Sequence, residues 1–144
     1  MSSARSWLRA FGCRLVPAAL CALALAQPVR SDELADFHGM VEQASAQYRV
    51  AMTTLETQGQ QETAAAVHQL RQSWQSIADR FGQNRPAAFA DDEQYSTMFM
   101  LIDMRLVGVL LVIDMGNREA ARDALAPIEE TLSRLSARSV PPPQ

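Results

Sequence analysis

Residues 98–115 read MFMLIDMRLVGVLLVIDM, and only Asp103, Arg105 and Asp114 break the apolar run. Tyr95, Phe99, Ile102, Leu106, Val109 and Ile113 recur at alternating steps of four and three. That is the period of one helix face; a half-buried strand would alternate every second residue. A second set, Met100, Met104, Val107 and Leu111, keeps the helical rhythm on another face. At about 100° per residue it lies roughly 150° from the first. A helix apolar on two faces must bury both. Either the bundle and a proline-bearing loop cover both sides, or the second face waits for another chain, most simply a second copy. The three charges make the stretch a poor transmembrane span.

Reading outward, this helix is expected from Asp92 to Met115. Asp91 with Gln94 three residues on resembles a capping box, and Gly116 closes the helix. Three more segments share the period. The first runs from about Glu33 to Gln58, with Leu34, Phe37, Val41, Ala44, Tyr48, Ala51 and Leu55 on one face. Ser31 is its expected N-cap and Gly59 its stop. The second runs from about Gln61 to Phe81, with Val67, Leu70, Trp74, Ile77 and Phe81; Gly82 and the Arg85-Pro86 pair prevent continuation. The last runs from the N-cap Asn117 to about Ala137, with Ala121, Leu125, Ile128, Leu132 and Leu135. Pro127 falls inside it, so a kink or break is expected there. Short links between long helices predict an all-α, antiparallel four-helix bundle, and the longest link, Gly82 to Ala90, crosses one end.

The N-terminus has the three parts of an export signal. Arg5, Arg9 and Arg14 form the basic region, Leu15 to Ala26 the apolar region, and Ala24-Leu25-Ala26 the cleavage site. Residues 1–26 are therefore expected to be a cleaved signal peptide, 27–139 the bundle and 140–144 a proline-rich, disordered tail. Twelve apolar residues are too few to span a bilayer, which takes about 20, so no span is expected after cleavage. The address is the periplasm, or outside the cell if the source is not Gram-negative.

Cleavage would remove both cysteines, Cys13 and Cys21, and with them thiol, disulfide and Cys-metal chemistry. It leaves ten arginines and no lysine against all sixteen acids, a net charge of −6 where the whole chain has −3. An acidic domain with no basic patch is not a nucleic-acid binder.

Few residues can carry chemistry. His38 and Glu42 are four apart on one helix face, half of a metal site, and His68 is the other candidate ligand. Met98, Met100 and Met104 bring soft thioethers that suit Cu(I), though Met98 lies off the face the other two share. Serine-hydrolase elbows, phosphate loops and zinc-protease motifs are absent from the sequence, so no enzyme is expected.

Asp114-Met115-Gly116-Asn117 followed by REAARDALAPIEETLSRL resembles the final turn and helix of the exported cytochrome c-prime and soluble cytochrome b bundles. With the four-helix pattern the resemblance extends over Ser31 to Arg138, and it implies the fold. It does not bring haem. The c-prime family attaches haem through C-x-x-C-H, and the last helix here has neither cysteine nor histidine. The b-type pair uses a methionine on the first helix, which Met40 or Met52 matches, and a histidine on the last, which nothing matches. The expectation is thus a non-enzymatic exported bundle acting through protein contacts, as a homodimer or as the accessory subunit of another exported protein. Its interaction surface would be Met100, Met104, Val107 and Leu111, with no cofactor. The alternative is a periplasmic metal or haem carrier using His38, Glu42, His68 or the methionines, with haem or copper as cargo.

Overall fold

The structure, a computed structural model, describes residues 27–140. The expected signal peptide, and the tail beyond Val140, lie outside the described residues. Four α-helices follow one another: α1 (Gln27–Thr57), α2 (Gln60–Phe81), α3 (Tyr95–Asp114) and α4 (Arg118–Ser139). A short 3-10 turn, Ala87–Phe89, lies between α2 and α3. No strand occurs among the described residues.

The helical stripes meet in one core. Every position of the one expected stripe on α2 and α4, of the first stripe on α3, and of the α1 stripe from Phe37 onward is buried, while Leu34 is half-buried. Each fully buried Leu, Ile, Val or Phe contributes about 1.5–3 kcal/mol through the surface it removes from water. Helix α1 packs on α2 and α4, and α3 packs on the same two. Polar ties mark the levels at which the helices meet. Along α1 and α4, His38 Nδ1 lies 2.9 Å from Ser139 Oγ, Tyr48 donates to Glu129 at 3.4 Å, and Arg122 donates to Glu56 at 3.2 Å. Along α2 and α3, the Tyr95 hydroxyl donates to the Phe81 carbonyl at 3.1 Å, Trp74 Nε1 donates to the Phe99 carbonyl at 3.1 Å, and Arg71 grips Asp103. Arg80 pairs with Asp36 between α2 and α1.

The two ends are built differently. At one, Phe37, Phe81, Phe89, Tyr95, Phe99 and Trp74 form a chain of ring contacts with centroids 5.1–5.4 Å apart. Edge and tilted arrangements of this kind suit the quadrupoles of aromatic rings. The 3-10 turn supplies Phe89, which bridges Phe37 of α1 and Tyr95 of α3. The guanidinium groups of Arg80, Arg85 and Arg138 lie over Phe81, Tyr95 and Phe89. At the other end, side chains satisfy the last carbonyls of α1 and α3. Arg118 donates to the carbonyls of Leu55 and Gln58, and Gln60 donates to that of Asp114 at 2.7 Å. Cations and amide donors are favoured at helix C-termini, where carbonyls lack partners.

Three boundaries differ from expectation. Helix α1 already includes Gln27, so Ser31 is inside it and is not its N-cap. Helix α3 begins at Tyr95 rather than Asp92, and the Asp91–Gln94 capping box does not form. Asp92 uses its carboxylate to accept from the Gln94 N–H at 3.1 Å, and its carbonyl accepts from Tyr95. That local turn spends the residues expected to open the helix. Helix α4 runs to Ser139 and is continuous through Pro127, so the proline does not break it. Its start is as expected: Asn117 Oδ1 accepts from the Ala120 N–H at 3.1 Å. Gly116 before it has φ 74°, a left-handed conformation that glycine adopts without a Cβ clash.

Candidate functional site

The outer side of α3 is the feature that stands apart. Met100, Met104, Val107 and Leu111 are 46–63% exposed, and Leu101 and Met115 beside them are 54% and 66% exposed. Among the described residues, the other helices therefore cover the Phe99–Ile113 side of α3 and leave this one open. The reading in which the rest of the chain buries both faces is corrected: among the described residues no loop covers the second stripe, and the long link turns instead toward the aromatic end with Phe89. Leu101 and Met115 widen the expected strip along its two ends. Scattered exposed apolar residues are ordinary, but here they are contiguous on one helix. A contiguous exposed apolar patch of this kind on a monomer is often a functional surface. Gly108 lies among them, and a Cβ placed there would meet nothing within 4 Å.

Charged groups flank the strip without entering it. Asp103 accepts from Arg71 Nε at 2.8 Å and from the second guanidinium nitrogen at 3.0 Å, and Gln75 donates to it at 3.2 Å. The Arg71 hydrogen bonds hold the Asp103 carboxyl below its ordinary pKa. The same bonds raise that of the guanidinium. On the opposite flank Arg105 borders a groove of about 320 Å³ between α3 and α4, floored by Met98, Leu101 and Ile102 and walled by Pro127 and Arg134. Helix α3 is also long and apolar enough to cross a membrane by length and composition alone, although about a third of it is packed inside the fold.

Of the candidate metal ligands, His38 and Glu42 share one side of α1, and His68 lies apart from them. His38 faces Ser139 and Glu42 faces Ser136, so both look toward α4. His68 lies on α2 beside Leu110, Ile113 and Asp114 of α3. It is twelve residues along α2 from Arg80, which meets α1 at Asp36, and that is about 18 Å of helix. Among the described residues no group of three or more His, Cys, Asp or Glu side chains is placed to hold a metal. The three clustered methionines diverge. Met98 is buried with its sulfur facing Arg134 at 3.5 Å, whereas Met100 and Met104 point to solvent.

Sequence reasoning located the four central residues of the strip and missed Leu101, Gly108 and Met115. The signal for them was present. Leu101, Met104, Gly108, Leu111 and Met115 also follow steps of three and four, with glycine hiding the middle of the series. No family model, characterised protein or solved structure matches the chain.

Proposed function

We propose that this chain is an exported, non-enzymatic, antiparallel four-helix bundle that works by holding a protein chain against the outer face of α3. The observation that carries the proposal is the exposure of Met100, Met104, Val107 and Leu111 on one contiguous, uncharged strip. Leaving such a strip in water costs free energy that a partner's apolar surface recovers. Methionines suit a contact surface because they repack easily around another chain. The antiparallel arrangement is supported by the order of ties along α1 and α4, where His38 meets Ser139 and Glu56 meets Arg122. A bend in α4 is supported by Pro127, whose nitrogen cannot donate to the carbonyl of Asp123. Export is supported by the basic and apolar segments within residues 1–26.

The test is the native mass of the protein released gently from producing cells. It is expected to exceed that of a single chain. Met104→Asp and Leu111→Asp each place a charge in the strip and are expected to weaken the assembly at least tenfold, with helicity by circular dichroism unchanged. A single-chain mass for the unsubstituted protein in such extracts would overturn the reading.

A further inference from the structure

The exposed strip has an internal symmetry. Met100 and Met115, Met104 and Leu111, and Val107 and Gly108 are three pairs centred on the same point, between residues 107 and 108. All but Gly108 are exposed large apolar side chains, and Gly108 is exposed as well. A twofold interface has this form, because if residue i touches j on the other copy, j must touch i in return. Of the large apolar side chains exposed on this face, Val107 has the side-chain-free Gly108 as its mirror position, and Leu101 has Asp114.

Resting on the reading of this face as a protein-contact surface, we propose that its occupant is a second copy of the chain. The two α3 helices run in opposite directions, with the twofold axis passing beside Val107 and Gly108. Met104 of each copy then lies against Leu111 of the other, and Met100 against Met115. The contact extends over the fifteen residue steps from Met100 to Met115, about 22 Å of helix. Gly108 permits the closest backbone approach at the axis, since it carries no side chain and has open space before it. The flexible methionines sit toward the two ends, where small errors in crossing angle displace atoms most.

A specific interface buries roughly 1,000 Å² or more in total. Each copy brings to it six exposed large apolar side chains along about 22 Å of helix, with rim groups such as Arg105 beside them. The flank that carries Asp103 and Asp114 meets the same flank of the second copy. Arg71, already bound to Asp103 by two hydrogen bonds, offsets the negative charge gathered there.

The test uses the full chain with Cys13→Ser and Cys21→Ser, so that introduced cysteines stand alone. Met104→Cys and Leu111→Cys are made in separate chains, mixed and mildly oxidised. The expected result is a disulfide-linked pair in the mixture, at least tenfold above either variant alone. In the proposed pairing, Met104 is displaced from Met104 of the second copy by about 10 Å along the helix, whereas a disulfide needs Cα atoms about 4.4–6.8 Å apart. Equal self-linking of each single variant would mean parallel helices and overturns the proposal. A dimer by sedimentation with no linkage in the mixture places the interface elsewhere and also overturns it. Sedimentation of the unsubstituted chain guards against damage by the cysteines; twice the single-chain mass at tens of micromolar is expected. A purified monomer whose extract still shows a larger assembly would assign the face to a different protein, overturning this inference and leaving the protein-contact reading intact. A monomer in both settings that binds vesicles of phosphatidylethanolamine and phosphatidylglycerol would overturn both readings.

Discussion

Tyr48 shows how one buried side chain sets a limit on stability. Its ring is 5% exposed in the core face of α1, with only a long 3.4 Å hydrogen bond to Glu129. Burial, reinforced by the charge of Glu129 and by that bond, pushes the phenol up to about 12. The folded chain thus keeps this proton to a pH where the unfolded chain, with an ordinary phenol near 10, has lost it. The stability contributed is fully present below pH 10 and is lost as pH rises through 12. Denaturant midpoints are expected to fall across that window, and Tyr48→Phe to flatten the fall by about 2 kcal/mol. Part of the slope should remain, because burial also raises the phenol of Tyr95. An unaltered slope in Tyr48→Phe would exclude Tyr48 as the titrating group. Asp103 acts at the other extreme. Its contribution is present above the usual carboxylate range and is lost as pH falls through its lowered value. The pair is about one-third exposed, so that contribution is small.

At the scale of elements, periodicity told most and local hydrogen bonding told the rest. The buried faces of all four helices were legible because a stripe at steps of three and four has one geometric solution. The start of α3 was not legible. Asp91 and Asp92 are equally good capping residues on paper, and the choice rests on which carboxylate reaches the Gln94 N–H. Phe89 was also hidden. It is a single aromatic in a linker with no periodicity around it, yet it is fully buried between α1 and α3. The link is therefore part of the core. Phe89→Ala is expected to cost about 3 kcal/mol or more, as for other buried aromatics truncated to alanine. Thermal unfolding would check this, and a loss below about 1 kcal/mol would mean that the link does not close the aromatic end. For the outer face of α3, sequence showed that two sides were apolar but could not say which neighbour covers which. That depends on where the Gly82–Ala90 link travels, a tertiary fact.

For the whole molecule, charge and apolar contact pull in opposite directions. The chain carries −3 overall and −6 over residues 27–144, so two copies repel at long range. The strip through which they would join carries no charge. Added salt shortens the screening length from about 8 Å at 0.15 M to about 3 Å at 1 M, weakening repulsion while leaving apolar burial intact. Self-association measured by sedimentation is therefore expected to tighten as salt rises. Weakening with salt would point to an interface held by ion pairs across the two copies.

Trp74 has a consequence in optical terms. It is the only indole among the described residues, 1% exposed, stacked near Phe99 with its N–H bound to the Phe99 carbonyl. An indole so placed emits at short wavelength while the fold is intact and shifts to the red when water reaches it. It lies against the core side of α3, across the helix from Met104 and Leu111. In the protein without residues 1–26, where Trp7 also lies, fluorescence would follow unfolding and stay silent to docking on the outer face. Loss of fold and loss of partner could then be told apart in one cuvette.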